Sequence, residues 1–212
     1  MNIGVIGASG MAGQAIFNEA VSRGHHVVAY VRNAEKTREL LGDIDWIEKD
    51  AFALEADDFE GIDVIVNAYA TEPSKAYRHI DLAAKLIGMF REQLNPRVVF
   101  ILGAGSLQLA DGTLLVEKLK SIPGSESWVA IPENQLKELE FLSLVDNVNW
   151  VGVSPSETFT TGDRLEPLLG TNRLLVNKDG KSIVSDKTFA RAILDEIEHP
   201  KVIRARFSVC NK

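Results

Sequence analysis

Residues 3–13 read Ile-Gly-Val-Ile-Gly-Ala-Ser-Gly-Met-Ala-Gly, and no other stretch of the chain restricts its folding more. A short apolar run begins beside the N-terminus and breaks into Gly7, Gly10 and Gly13, evenly spaced. An amphipathic segment from Met11 to Arg23 follows. The pattern predicts a strand, a tight glycine turn and a helix whose N-terminus faces the turn. The first amides of a helix lack intrahelical partners and sit at the positive end of its dipole, so this junction suits a phosphate. Gly7 permits the turn, Gly10 lets the backbone approach a pyrophosphate, and Gly13 lets helix and strand pack closely. Glycine spacing alone is a weak signal; the flanking strand and helix supply the context it requires.

The bulk properties fit one soluble α/β domain. A chain of 212 residues can bury a full core. Its formal net charge of -7 argues against nucleic acid as the main partner. Cys210 is the only cysteine, so no internal disulfide forms. No apolar run approaches the ~20 residues needed to span a bilayer. The first strand begins almost at Met1, leaving no space for a signal peptide, and the expected location is cytoplasmic.

Beyond the first helix, strands and helices alternate. Val27–Val31 reads as a second strand, Ala34–Leu41 as a helix, Trp46-Ile47 as a third strand and Val64–Val66 as a fourth. After Pro73 a helix places Ile80, Ala83, Ala84, Ile87, Phe90 and Leu94 on one face. Val98–Leu102 is a fifth strand. Pro132 opens a helix carrying Leu136, Leu139, Leu142 and Val145, and Trp150–Val153 is a sixth strand. Leu174–Val176 and Ser182–Val184 flank Asn177-Lys178-Asp179-Gly180-Lys181, a hairpin signal. Asp186 caps a last helix, and a strand follows near Ile203–Val209. Such alternation predicts a Rossmann-type, doubly wound and mostly parallel sheet with helices on both faces. The expected organisation is a single domain over residues 1–212, with a small substrate-side region built from about 105–135 and 155–185.

Ligands of such sheets sit beyond the carboxyl ends of the strands. There this chain places Gly7–Gly13, Arg32-Asn33, Asp50-Ala51, Asn67–Ala70, Gly103–Ser106 and Ser154–Glu157, segments dominated by small or polar residues. A site for NAD needs an acid near the end of strand two. Here that end reads Val31-Arg32-Asn33, and the planar fork of Arg32 suits a 2′-phosphate. The adjacent His25 and His26 would point to opposite faces of a strand, His79 and His199 stand apart, and no group has metal-ligand spacing.

With the glycine turn, the run Gly24-His25-His26-Val27-Val28-Ala29-Tyr30-Val31-Arg32-Asn33 resembles the atypical short-chain dehydrogenase/reductase group with NAD(P)H-binding domains. Within that group the chain is most similar to the NADH-flavin reductases related to biliverdin reductase B. The similarity continues through Val99–Gly103, Trp150–Ser156 and Ala190–Glu198. The resemblance implies a nicotinamide cofactor, NADP(H) by the argument from Arg32, with NAD(H) as the alternative, and FMN or FAD as substrate. The proton-donating Tyr-x-x-x-Lys pair of typical short-chain dehydrogenases is missing: Ala34, Pro73 and Asp81 stand four residues after Tyr30, Tyr69 and Tyr77. Hydride transfer to a planar acceptor needs less help, because the ring delocalises the charge and its proton can come from solvent.

The expected site follows. Gly7, Ala8, Ser9, Gly10, Met11 and Gly13 hold the pyrophosphate, and Arg32 holds the 2′-phosphate. Asp50 and Ala51 lie near the adenine, and Asn67, Ala68 and Tyr69 near the ribose. Leu102, Gly103, Ser154 and Pro155 flank the nicotinamide, Ser106 is the catalytic candidate, and Phe159 covers the acceptor ring. Two other classes share the groove: a non-catalytic dinucleotide sensor, and a sugar-nucleotide isomerase or epimerase. The missing Tyr-x-x-x-Lys pair counts against the second.

Overall fold

The computed structural model describes residues 1–212. Six parallel strands form most of the sheet: β1 (Asn2–Ile6), β2 (His26–Val31), β3 (Asp45–Glu48), β4 (Val64–Asn67), β5 (Gln93–Ile101) and β6 (Val148–Ser154). A short β7 (Thr158–Thr160) and β8 (Pro167–Gly170) follow, then β9 (Ile183–Ser185) and β10 (Ala205–Asn211). The sheet order is β3-β2-β1-β4-β5-β6-β10-β8, with only β8 antiparallel to its neighbour. The chain reverses its direction of winding between β1 and β4, where an open sheet leaves a crevice at its carboxyl edge.

Helices cover both faces. On one lie α1 (Met11–Ser22) and α6 (Asp186–Glu198), whose Ile16, Phe17, Phe189 and Ile193 pack on β1, β2 and β6. On the other lie α3 (Arg78–Met89) and α5 (Ala130–Ser143), packed over Ile65, Phe100 and Trp150. The short α2 (Ala34–Leu41) starts at Asn33, whose side chain accepts from Lys36 N at 2.8 Å. The single turn α4 (Leu115–Lys120) precedes α5. Burying apolar area on both faces accounts for the continuous valine and isoleucine runs in β1, β4 and β5.

Several expectations change. No hairpin forms at residues 174–184. Asn177 closes the expected turn, accepting from Asp179 N and Lys181 N, but Leu174–Val176 is not a strand. Ile183–Ser185 instead pairs in parallel with Thr158–Thr160, a long-range partner that turn chemistry does not announce. Ser185 rather than Asp186 caps α6, accepting from Thr188 N at 3.2 Å. The helix after Pro73 ends at Met89, so Leu94 lies on β5 and is 84% exposed. Its buried face is His79, Leu82, Ala83, Leu86 and Ile87, and Ala84 faces outward. Pro132 is the third residue of α5, within the first turn where a missing N–H costs nothing. No helix is long and apolar enough to cross a membrane.

Candidate active site

Two joined depressions lie along the carboxyl edge of the sheet. The smaller, about 160 Å³, spans the ends of β1 and β2 and is lined by Gly7, Ser9, Arg32, Lys49 and Ala51. The larger, about 380 Å³, spans the ends of β4, β5 and β6 and is lined by Met11, Leu102, Gly103, Gln135, Pro155 and Phe159, among others. Small-molecule sites are commonly about 300–1,000 Å³. Gly10, Ala68, Tyr69 and Ala70 border both depressions, so they form one crevice with the start of α1 at its seam.

The glycine turn has three distinct constraints. Gly7 adopts φ +76°, and its N–H donates to Tyr30 O, locking the turn onto β2. A Cβ on Gly13 would stand 2.2 Å from Gly7 O, so only glycine lets α1 approach the turn this closely. A Cβ on Gly10 would meet nothing nearer than Gly7 O at 3.4 Å; the space in front of it is the crevice. Gly10 is the N-cap of α1, with no side-chain cap and no acid in the first turn. The uncapped amides and the helix dipole fit a pyrophosphate, and an anion supplies the partner that the sequence withholds.

Gly7, Ser9, Gly10, Arg32, Ala51, Ala68 and Tyr69 border the smaller depression. Arg32 is exposed and forms no ion pair, while the neighbouring Lys49 is held by Asp58 at 2.6 Å. Met11, Leu102, Gly103, Pro155 and Phe159 border the larger one.

Other expected residues stand behind the walls. Ala8 is fully buried under the turn, and Gly13 is spent on packing. Asp50 is turned back to cap the turn Ala51–Ala53, accepting from Phe52 N at 2.9 Å. Asn67 is 5% exposed and accepts from Tyr69 N at 3.3 Å. Ser154 is wholly buried, and its Oγ donates to Gly103 O at 3.0 Å. Ser106 is placed differently from the expectation. Its hydroxyl accepts from Arg206 Nη1 at 3.0 Å and it does not line the crevice, so it is not aimed at a substrate.

Arg206 lies outside the set of site residues expected from the sequence. Its guanidinium, on β10, also donates from Nη1 to Ser154 Oγ at 3.0 Å and from Nη2 to Asn172 Oδ1 at 2.9 Å. No carboxylate pairs with it and Nε has no partner. Burial draws its pKa down to about 10. Through the two serines it braces Gly103 and Ser154, the segments that wall the acceptor end. An arginine amid the apolar residues of β10 was the signal available.

Two more buried polar residues are His79 of α3, which the sequence marks only as lacking metal-ligand spacing, and Glu138 of α5, which it does not single out. His79 lines the larger depression at 4% exposure, and Glu138 is 1% exposed. Their nearest atoms, Nδ1 and Oε2, are 3.8 Å apart. His79 shares a helix face with Leu82 and Ala83, and Glu138 shares one with Leu142. A polar residue on an apolar stripe was the signal in both.

Residues 7–200 match a protein-family model described as NAD(P)H-binding. The chain belongs to the NAD(P)H-binding family. It is 35% identical over 214 residues to the uncharacterized protein YwnB of Bacillus subtilis, covering 100% of this chain and 99% of that one. A Lactobacillus casei protein of known crystal structure is 36% identical, with a TM-score of 0.93 over 100% of this chain and 99% of the other. A Streptococcus pneumoniae protein named a putative NADH-flavin reductase is 30% identical, with a TM-score of 0.89 over 100% of both chains. A nicotinamide dinucleotide is the ligand class that this family membership gives the chain.

Proposed function

We propose that this chain is an NADPH-dependent reductase that passes hydride directly to a flavin or a similar planar acceptor. The observation that carries the reading is the two-chambered crevice with uncapped helix amides at its seam. One chamber presents an unpaired arginine, and the other is wide and largely apolar. When bound, the dinucleotide supplies the hydride. The amides beginning at Gly10 and Met11, with Ser9 beside them, hold its phosphates; Arg32 holds a 2′-phosphate. Ala51 and Tyr69 border the adenosine part, and Leu102, Gly103 and Pro155 border the reacting end. Phe159, half-buried against Phe189 with ring centroids 5.0 Å apart, forms part of the acceptor wall.

The chain's contribution is orientation and exclusion of water, which for a positioned pair of reactants is worth several kcal/mol of barrier. The name of the Streptococcus pneumoniae relative supports flavin as the acceptor class. No tyrosine is followed four residues later by lysine, which disfavours alcohol–ketone and epimerase chemistry.

The test is steady-state oxidation of NADPH with FMN or FAD, paired with calorimetric binding of NADPH. Turnover with either flavin is expected. Tight NADPH binding without turnover of any planar acceptor would favour a dinucleotide sensor and overturn the reading.

A further inference from the structure

His79 on the wall of the larger depression and Glu138 behind it are buried and hold polar atoms without a hydrogen-bond partner. Glu138 reaches the interface of α3 and α5 from the third turn of α5 and meets no cation there. Its Oε2 and the Nε2 of His79 are both buried and without partners. An ionised carboxylate in such a place costs several kcal/mol unless it is paired and hydrogen-bonded. Glu138 therefore carries a proton, and its pKa is raised well above the usual carboxylate range by burial. Burial also draws His79 down to about 4, so the imidazole is neutral. No ion pair locks the two together; an acid and a neutral base stand side by side behind the cavity surface.

The surroundings do not neutralise the pair. Tyr69, on the loop after β4, packs edge-on to His79 with ring centroids 5.6 Å apart. Arg78 of α3 lies over Phe52, 4.7 Å from its ring, in the turn Ala51–Ala53 that packs on α3. The turn Pro73–Lys75 packs on α5, and its Lys75 is engaged with Glu72 at 2.6 Å. Asp81 of α3 is exposed, as is Lys137, the neighbour of Glu138 on α5.

We propose that Glu138 and His79 are the proton supply of the acceptor pocket, with His79 the donor and Glu138 the reservoir behind it. The inference rests on the reductase reading above. Reduction by two electrons needs one hydride, from NADPH, and one proton. His79 relays the proton through Nδ1, the nitrogen that faces Glu138. The O–H bond of Glu138 breaks as an N–H bond forms at Nδ1, and that N–H bond breaks as the new bond to hydrogen forms on the acceptor, leaving the imidazole neutral. The net loss is one proton from Glu138, which water returns after turnover. The separation of 3.8 Å is closed by a side-chain rotation or by one bridging water. Solvent is thus not needed as the immediate proton source.

The test has two arms. Infrared spectra of the protein without ligands should show a protonated carboxyl at neutral pH that Glu138→Gln removes; an ionised Glu138 overturns the inference, whatever the turnover. In single-turnover oxidation of bound NADPH by FMN, Glu138→Gln and His79→Phe should slow the reaction by about 10²-fold, with the Kd for NADPH unchanged in Glu138→Gln, whose residue does not line the pocket. Glu138→Asp, which keeps an acid, should recover part of the rate. Glu138→Gln keeps the side chain's shape, so it decides the matter if His79→Phe does not fold. Variants within about threefold of the wild type overturn the inference alone. A wild-type protein that binds NADPH and reduces no flavin overturns the reductase reading, and this inference with it.

Discussion

The two ends of the crevice are built in opposite ways. At the β1–α1–β2 end the ligand-facing surface is mostly backbone, and its shape depends on residues that lack side chains: Gly7 at φ +76°, Gly13 against Gly7 O, and Gly10 open to the crevice. At the β5–β6 end the surface is held by side chains from distant parts of the chain. Arg206 of β10 braces Ser106 and Ser154, Gln135 of α5 packs on Gly103, and Glu138 of α5 backs His79 of α3. A backbone cradle recognises a phosphate, which every dinucleotide has. A wall of side chains selects an acceptor, and its buried polar groups carry protons or positive charge. On the proposed reading the first end binds the dinucleotide and the second carries the chemistry.

The largest expected effect separates stability from binding. Arg206→Ala removes a buried side chain and the partner of two hydroxyls, and should cost about 3 kcal/mol by urea denaturation while leaving NADPH affinity nearly intact. Arg206→Met keeps the volume. Because no carboxylate is left unpaired, it should cost less than half as much. A drop in NADPH affinity as large as the loss of stability would erase the distinction between the two ends.

Gly10→Val is the converse. Its side chain enters open space in the apo protein, so the thermal midpoint should barely move, while calorimetric affinity for NADPH falls at least 100-fold, roughly 2.8 kcal/mol. Retained tight binding would put the phosphates elsewhere.

Arg32→Ala sharpens the comparison within the binding end. A charge-assisted contact is worth about 1.5–3 kcal/mol, so the wild type should prefer NADPH over NADH by roughly ten- to a hundredfold, and the variant by little. Equal affinities in the wild type would remove the reason for the arginine.

The smallest effect is a slope. The folded pKa of His79 is depressed to about 4, so the folded state stays neutral where the unfolded one binds a proton; this makes stability rise with pH between about 4 and 6.5. The folded pKa of Glu138 is raised, so its contribution is complete below the unfolded value near 4.5 and is lost as pH rises toward the folded pKa. Between about 4.5 and 6.5 the two oppose each other. Above about 6.5 the histidine no longer contributes, and up to the folded pKa of Glu138 its carboxyl should make stability fall with pH by no more than about 1.4 kcal/mol per unit. Thermal denaturation of Glu138→Gln should show that decline abolished.

The same contrast explains what could be read from the sequence. The glycine turn, the parallel strands and the place of Arg32 follow from local pattern, because backbone geometry and strand burial leave marks within a few residues. The partner of Ile183–Ser185 left none, since it lies more than twenty residues earlier in β7. The fate of Ser106 was equally hidden: whether a serine after a strand faces a ligand depends on what stands behind it, here Arg206 a hundred residues later. His79 and Glu138 were visible as polar breaks in apolar helix faces, but only the packing of α3 on α5 makes them neighbours.

The most direct measurement of the central claim is a crystal structure with NADP⁺ bound. The phosphates should accept from the first amides of α1 at Gly10–Met11, with the 2′-phosphate at Arg32 and the nicotinamide end in the chamber bordered by Gly103, Pro155 and His79. A dinucleotide bound in the reverse sense, or one whose phosphates make no contact with the start of α1, would contradict the account.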